Sequence, residues 1–291
     1  MNDYTSIADL YDLYVTDTRD HRFWTRWAAR AAGPVLELTA GTGRATAALH
    51  AGATHPLVAL DLSAAMLRRL AGRFAEARPP VGAVSGDLTA LPFRPACYDL
   101  AVIPFNSLGE LVEPPQRAVA LRELRRVLAP GGRAIVTLHN PTQRRRTLDG
   151  EVRRLGPFPA GDRRLEVLVR GRLIDADLAI SEQTYRVLGP DDNLVEERRL
   201  SIRFALPDVS TLAAEARAAG LEIEALFGDY DESPYDPARS PFILAVLARS
   251  AVPISGGQRE LQEGAGDRDG AVHRCLRQGR EALAVHQLGG G

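Results

Sequence analysis

The run Pro34-Val35-Leu36-Glu37-Leu38 leads into Gly41-Thr42-Gly43, and residues 44–51 behind it suit a helix. No other segment constrains the fold as strongly. A buried strand feeding a glycine turn and a helix aims backbone N–H groups at a ligand. The same rhythm repeats down the first half. Leu57-Val58-Ala59-Leu60 predicts a second buried strand ending on Asp61, and Ser63 an N-cap for a helix presenting Met66, Leu67, Leu70 and Phe74. Residues 81–84, 98–103 and 134–138 predict three further strands, and 118–128 a helix stopped by Pro130-Gly131-Gly132. Short apolar strands alternating with helices predict an α/β fold with a parallel sheet covered on both faces.

The pattern changes after residue 150. Segments 165–174, 179–188 and 195–204 alternate apolar and polar residues, with a turn at 189–193. Three such strands in succession predict an antiparallel meander. A helix over 207–220 and strands over 221–227 and 242–247 then resume the first rhythm. The expected organisation is one domain over 1–249, with an N-terminal arm at 1–32 and an antiparallel β insertion at about 150–205. Residues 250–291 hold nine glycines and few apolar side chains, which predicts a poorly ordered tail.

Composition removes several function classes. All 36 residues counted as Lys plus Arg are arginine, so no lysine is present for a Schiff base or a phosphate loop. The net charge of −1 gives no global field for nucleic acid, and no apolar stretch is long enough to span a bilayer. Cys97 and Cys275 are too few for a thiolate metal site or a disulfide framework, and the expectation is a reduced, cytoplasmic protein. No metal site is expected. Between 144 and 172 nine arginines face four acids; a solvated face is the plain reading, and an anionic substrate at a pocket mouth the sharper one.

Asp61 follows Gly43 by 18 residues at the end of the second strand, where a carboxylate accepts ribose hydroxyls. Asp87 ends the third strand, next to where an adenine edge would lie. These three strand ends in register predict a nucleoside site. A dinucleotide fingerprint wants Gly or Ala three residues after Gly43, and Thr46 stands there.

Glu37-x-Thr39-x-Gly41-x-Gly43 resembles motif I of class I S-adenosylmethionine-dependent methyltransferases, departing from it at the first glycine, where Thr39 stands. Thr39 is compatible if that residue stays extended, since no positive φ is then needed. Asp61-Leu62-Ser63-x-x-Met66-Leu67 and Gly86-Asp87-Leu88-x-x-Leu91-Pro92-Phe93 resemble the family's second and third motifs, and Asn106-Ser107-Leu108 part of its fourth. The resemblance covers roughly residues 4 to 249 and implies a Rossmann-like, mostly parallel seven-stranded sheet binding S-adenosyl-L-methionine. It also implies roles. The backbone at Gly41 and Gly43 takes the methionine end, Asp61 the ribose, and Asp87 with Leu88 the adenine, with Glu37, Thr39 and Phe105 also among the cofactor-binding residues. Leu62 and Met66 line the adenine pocket.

Tyr11-Asp12-x-Tyr14-x-x-Asp17-Thr18-Arg19 ahead of Trp24 and Trp27 is similar to the arm of glycine N-methyltransferases and bacterial amino-sugar N-methyltransferases. That similarity makes Tyr14 and Arg19, with Arg22 as alternative, candidates to close over the cofactor. It implies methyl transfer to a nitrogen, before oxygen, of a small molecule in secondary metabolism. His139, ending strand five, is the candidate base or orienter, and Asn106 the second catalytic candidate; Phe105 and Tyr185 are candidate walls. A small-molecule substrate is the expected partner, nucleic acid and membrane are not, and a homodimer is left open. The alternative expectation is the same scaffold binding the cofactor without methyl transfer, for other chemistry or as a binding module.

Overall fold

The computed structural model describes residues 4–250 and Cys275. The arm forms α1 (Ala8–Tyr14) and α2 (His21–Arg30). The alternating region follows as β1 (Val35–Leu38), α3 (Arg44–Gly52), β2 (Leu57–Asp61), α4 (Ala64–Arg73), β3 (Val81–Ser85), β4 (Tyr98–Ile103), α5 (Pro114–Val127), β5 (Leu128–His139) and α6 (Pro141–Arg145). Then come β6 (Asp149–Ala160), β7 (Arg163–Leu173), β8 (Leu178–Leu188), β9 (Leu194–Ala205), α7 (Val209–Ala218), β10 (Leu221–Phe227) and β11 (Phe242–Arg249).

Seven strands form one sheet in the order β10-β11-β5-β4-β1-β2-β3. Pairing is parallel from β5 across to β3, and β11 runs antiparallel to both its neighbours. This is the Rossmann-like arrangement expected. Successive residues on a strand point to opposite faces, and here both faces are buried. Val35, Leu57 and Leu100 pack against Phe23, Trp24 and Leu49 of α2 and α3. Leu36, Val58 and Ala101 pack on the other side with Leu121, Leu124 and Leu212 of α5 and α7. The chain crosses from one side of β1 to the other in building the sheet, so a crevice opens at the carboxyl ends of β1 and β4.

The insertion is a four-stranded antiparallel sheet, β6-β7-β8-β9, rather than the three-stranded meander predicted. Gly150, Gly156, Pro157 and Pro159 interrupt the alternation of β6, whose residues are mostly exposed, so its sequence carries no period-two signal. The inner face of this sheet packs on α1 through Leu165, Val167, Tyr185 and Phe204. Strand β5 begins earlier than expected, because Pro130-Gly131-Gly132 makes an irregularity inside it, with Gly131 at φ 78°.

The cysteines correct the reading of a reduced pair. Cys275 is buried in the core, its sulfur disulfide-bonded to Cys97 and its carbonyl accepting the Arg94 amide at 2.7 Å. Apart from Ser250 and Cys275, the residues of the expected tail lie outside those described. Among the described residues no helix is long and apolar enough to cross a membrane.

Candidate active site

A cavity of about 370 Å³ opens at this crevice, with its floor on the ends of β1, β2, β4 and β5 and its roof on β8 and β9. The glycine turn forms one wall. Gly41 at φ 57° and Gly43 at φ 87° adopt the left-handed conformation that L side chains resist. A Cβ on Gly43 would come within 2.8 Å of Phe74, whereas one on Gly41 would meet nothing within 4 Å. Gly43 is therefore packed from behind and Gly41 keeps the cavity side open. Thr39 corrects the sequence reading: it is not extended but sits at φ 61°, where a β-branched residue is strained.

Three acidic or basic groups are placed by this turn. Asp61 accepts the Gly41 amide at 2.8 Å on one carboxylate oxygen and the Ser63 amide at 2.8 Å on the other. Burial raises its pKa, and those backbone bonds pull it back down. Glu37 is buried inside β1, accepts from the Thr46 hydroxyl, and has its carboxyl pushed up to about 8 by desolvation. Arg44, the first residue of α3, is gripped by both oxygens of Asp20 at 2.6 and 2.5 Å. Trp24 donates to the same carboxylate at 2.9 Å, so the arm and the turn share one buried ion pair. The Arg44 guanidinium lies 4.3 Å from the Phe105 ring centroid, and its Nε is shut off from solvent without a partner.

The opposite wall comes from β4, β5 and α6. Thr137 donates to the Phe105 carbonyl at 2.6 Å, and Asn106 Oδ1 accepts the His139 amide at 3.1 Å. Phe105, held at φ 57°, stands partly exposed over the cavity. His139 is half-buried, but its Nδ1 is closed to solvent and has no partner. Desolvation, with the Arg144 guanidinium adding to it, pushes its pKa down to about 4. Tyr4 donates to Glu110 at 2.8 Å, and Tyr11 lies edge-on to Tyr4; all three line the cavity.

Of the predicted residues, Glu37, Thr39, Gly41, Asp61, Leu62, Met66, Phe105, Asn106 and His139 line this one cavity. Others do not. Tyr14 bonds Tyr185 at 2.9 Å, and Tyr185 packs in the core beneath the roof. Arg19 is exposed and paired with Asp17. Asp87 accepts from the amide and hydroxyl of Thr89, both at 2.7 Å, and Leu88 is core. The arm instead reaches the cavity through Tyr4, Thr5 and Tyr11, and the guanidinium at the turn belongs to Arg44. Sequence reasoning passed over Tyr4, Arg44 and Glu110, and it took Arg144 only as one of nine arginines that could hold an anionic substrate at the pocket mouth. The position of Arg44 directly after the glycine turn was the available signal.

The family profile described as "Methyltransferase domain" matches residues 35–132. The demethylmenaquinone methyltransferase of Clavibacter sepedonicus is 31% identical over 228 residues, 75% of this chain and 80% of that one. The chain belongs to the class I S-adenosylmethionine-dependent methyltransferases. Other curated relatives of the same name are matched over 52% to 60% of their length. Among solved structures, the CcbJ methyltransferase from Streptomyces caelestis superposes with a TM-score of 0.69 at 26% identity, covering 84% of this chain and 96% of that one. The sugar N-methyltransferase KedS8 from Streptoalloteichus sp ATCC 53650 gives 0.65 at 20% identity, covering 86% and 94%, and shares the fold. This methyltransferase takes S-adenosyl-L-methionine as methyl donor. The cavity suits it chemically: a carboxylate at the end of β2, an open backbone at Gly41, and an Arg44 Nε closed off without a partner.

Proposed function

We propose that this methyltransferase transfers the methyl group to a nitrogen, before oxygen, of a small molecule, in secondary metabolism. The observation that carries this reading is one cavity, mostly apolar, in which Glu110, Tyr4 and Tyr11 face the same space as Gly41 and Asp61. A carboxylate and tyrosine faces suit a cationic amine.

When bound, the cofactor supplies an electrophilic methyl on a sulfonium. Asp61 would accept the ribose hydroxyls, Leu62 and Met66 would flank the adenine, and Arg44 with the Gly41 backbone would hold the methionine end. Phe105 and the β8–β9 roof exclude water from the acceptor. Asn106 is a positioning residue, fixing the end of β5 so that His139 faces the cavity. At about 4, His139 is a weak base toward an amine of pKa about 8 to 10, so its neutral imidazole orients the acceptor. Rate enhancement then rests mainly on alignment, which is worth up to roughly 7–11 kcal/mol in well-oriented systems.

A second reading, methylation of demethylmenaquinone, is favoured by the identity to the Clavibacter protein across most of both chains. Incubating the full chain with the donor and a panel of amines, aminosugars, phenols and demethylmenaquinone separates the two. The first reading expects one-methyl mass gains confined to amines; gains confined to demethylmenaquinone establish the second.

A further inference from the structure

Of the nine arginines between 144 and 172, Arg144 is the one that lines the cavity. Others are matched on the exposed sheet and its edges: Arg153 pairs with Asp149, Arg154 with Glu166, and Arg145 with Asp177. The arginine-rich segment is thus largely a solvated face, except at this position. Among the described residues no carboxylate pairs with Arg144. Its guanidinium lies 5.3 Å from the Phe204 ring centroid, one nitrogen donates to the Thr147 hydroxyl at 2.9 Å, and Nε is closed to solvent with no partner. His139 Nδ1, in the same cavity, is also closed off and unpartnered. A half-buried cation without a counter-ion is left under-satisfied, and the unpartnered atoms of Arg144 and His139 add to that cost.

A bound group held by both residues must accept from the Arg144 guanidinium and meet the His139 ring, both of which line the cavity. A carboxylate does so with its two oxygens, the neutral imidazole donating its ring N–H. One guanidinium balances one negative charge, and Glu110 on the cavity wall disfavours a dianion such as phosphate. Resting on the methyl-transfer reading above, we propose that the acceptor is a carboxylate-bearing amine whose carboxylate binds between Arg144 and His139. Arg144 is then the residue that selects acidic acceptors over neutral ones of the same shape.

Two measurements test this. In the first, the full chain with labelled histidine and saturating adenosylhomocysteine is titrated with acetate, and separately with acetamide. The His139 resonance is assigned by its absence in His139→Gln. Acetate should shift it saturably, acetamide should bind at least about tenfold more weakly, and Arg144→Gln should weaken acetate by about tenfold or more. Equal shifts from the two probes, or acetate affinity unchanged in Arg144→Gln, overturn the proposal. Removing a half-buried charge that has no carboxylate partner does not threaten folding, and a thermal midpoint at or above wild type confirms this for the variant.

In the second, amino acids are compared with their methyl esters as acceptors. The acid should be preferred by roughly 100-fold in kcat/KM, and Arg144→Gln should collapse that preference mainly through KM. Esters methylated as well as acids refute the carboxylate site and leave nitrogen methylation standing. Saturable, Arg144-dependent acetate binding with no amine methylated leaves the carboxylate site standing and refutes nitrogen methylation.

Discussion

The Gly41 amide and the Asp61 carboxylate meet at 2.8 Å across the neighbouring ends of β1 and β2. The bond ties the glycine turn to the carboxylate assigned to the ribose, and the Ser63 amide holds that carboxylate from its other side. Each oxygen keeps a lone pair for a hydroxyl. Asp61→Ala should weaken adenosylhomocysteine binding by about 1.5–3 kcal/mol per charge-assisted bond lost, or tenfold and upward. Calorimetry reads the affinity, and an unchanged value would remove Asp61 from the cofactor site.

Stability of the ligand-free protein should depend on pH through two buried groups of opposite sign. Glu37 has its pKa raised from 4.5 to about 8, so between those values the folded chain keeps a proton that the unfolded chain releases. Stability therefore falls as pH rises through that window. His139 is lowered from 6.5 to about 4, so over that window the unfolded chain binds the extra proton and stability rises with pH. The two oppose each other up to about pH 6.5. Above it Glu37 acts without His139. The urea midpoint should fall from about pH 6.5 to about 8, with a limiting slope near 1.4 kcal/mol per pH unit. Glu37→Gln should flatten that limb; a limb that persists in the variant would assign it to another group.

Thr39 stores strain at φ 61° in the position where the family's motif carries glycine. A non-glycine residue there costs roughly 1–3 kcal/mol, and glycine gives back about 0.5–1 through unfolded-chain entropy. Thr39→Gly should therefore stabilise the free protein by about 1 kcal/mol. A lower thermal midpoint in the variant would show that the Thr39 hydroxyl, bonded to the Leu38 carbonyl, outweighs the strain.

Cys97 and Cys275 are 178 residues apart and disulfide-bonded in the folded chain. Cross-links closing long loops contribute typically 2–4 kcal/mol. Reductant, or Cys275→Ser, should lower the thermal midpoint, and the native protein should show no free thiol. Two titratable thiols in the native protein would contradict the pairing.

The parts of the fold governed by local physics were legible in the chain. β1 is a run of four buried residues before a glycine turn, and Ser63 caps α4 by accepting the Met66 amide as its sequence position implies. β6 was hidden because an exposed edge strand broken by glycine and proline has no apolar period. The site was legible where strand ends define it, at Gly41, Asp61, Asn106 and His139. It was not legible along the arm. Whether Tyr11 or Tyr14 faces the cavity depends on how α1 docks, and that docking is set by long-range contacts. Thr42 donates to Asp12 at 2.5 Å, and Arg44 to Asp20. Arg144 likewise became distinguishable from its eight neighbours only when α6 and β9 brought it over Phe204.

The most direct test of the central claim follows the methyl group itself. The full chain is given donor carrying an isotope-labelled methyl and an amine acceptor carrying labelled nitrogen, and the product is examined by NMR. A one-bond carbon–nitrogen coupling is expected at the transferred methyl, absent when Asp61→Ala protein is used at limiting donor. Label recovered on oxygen or carbon, or an acceptor panel that gains no methyl at all, would contradict it.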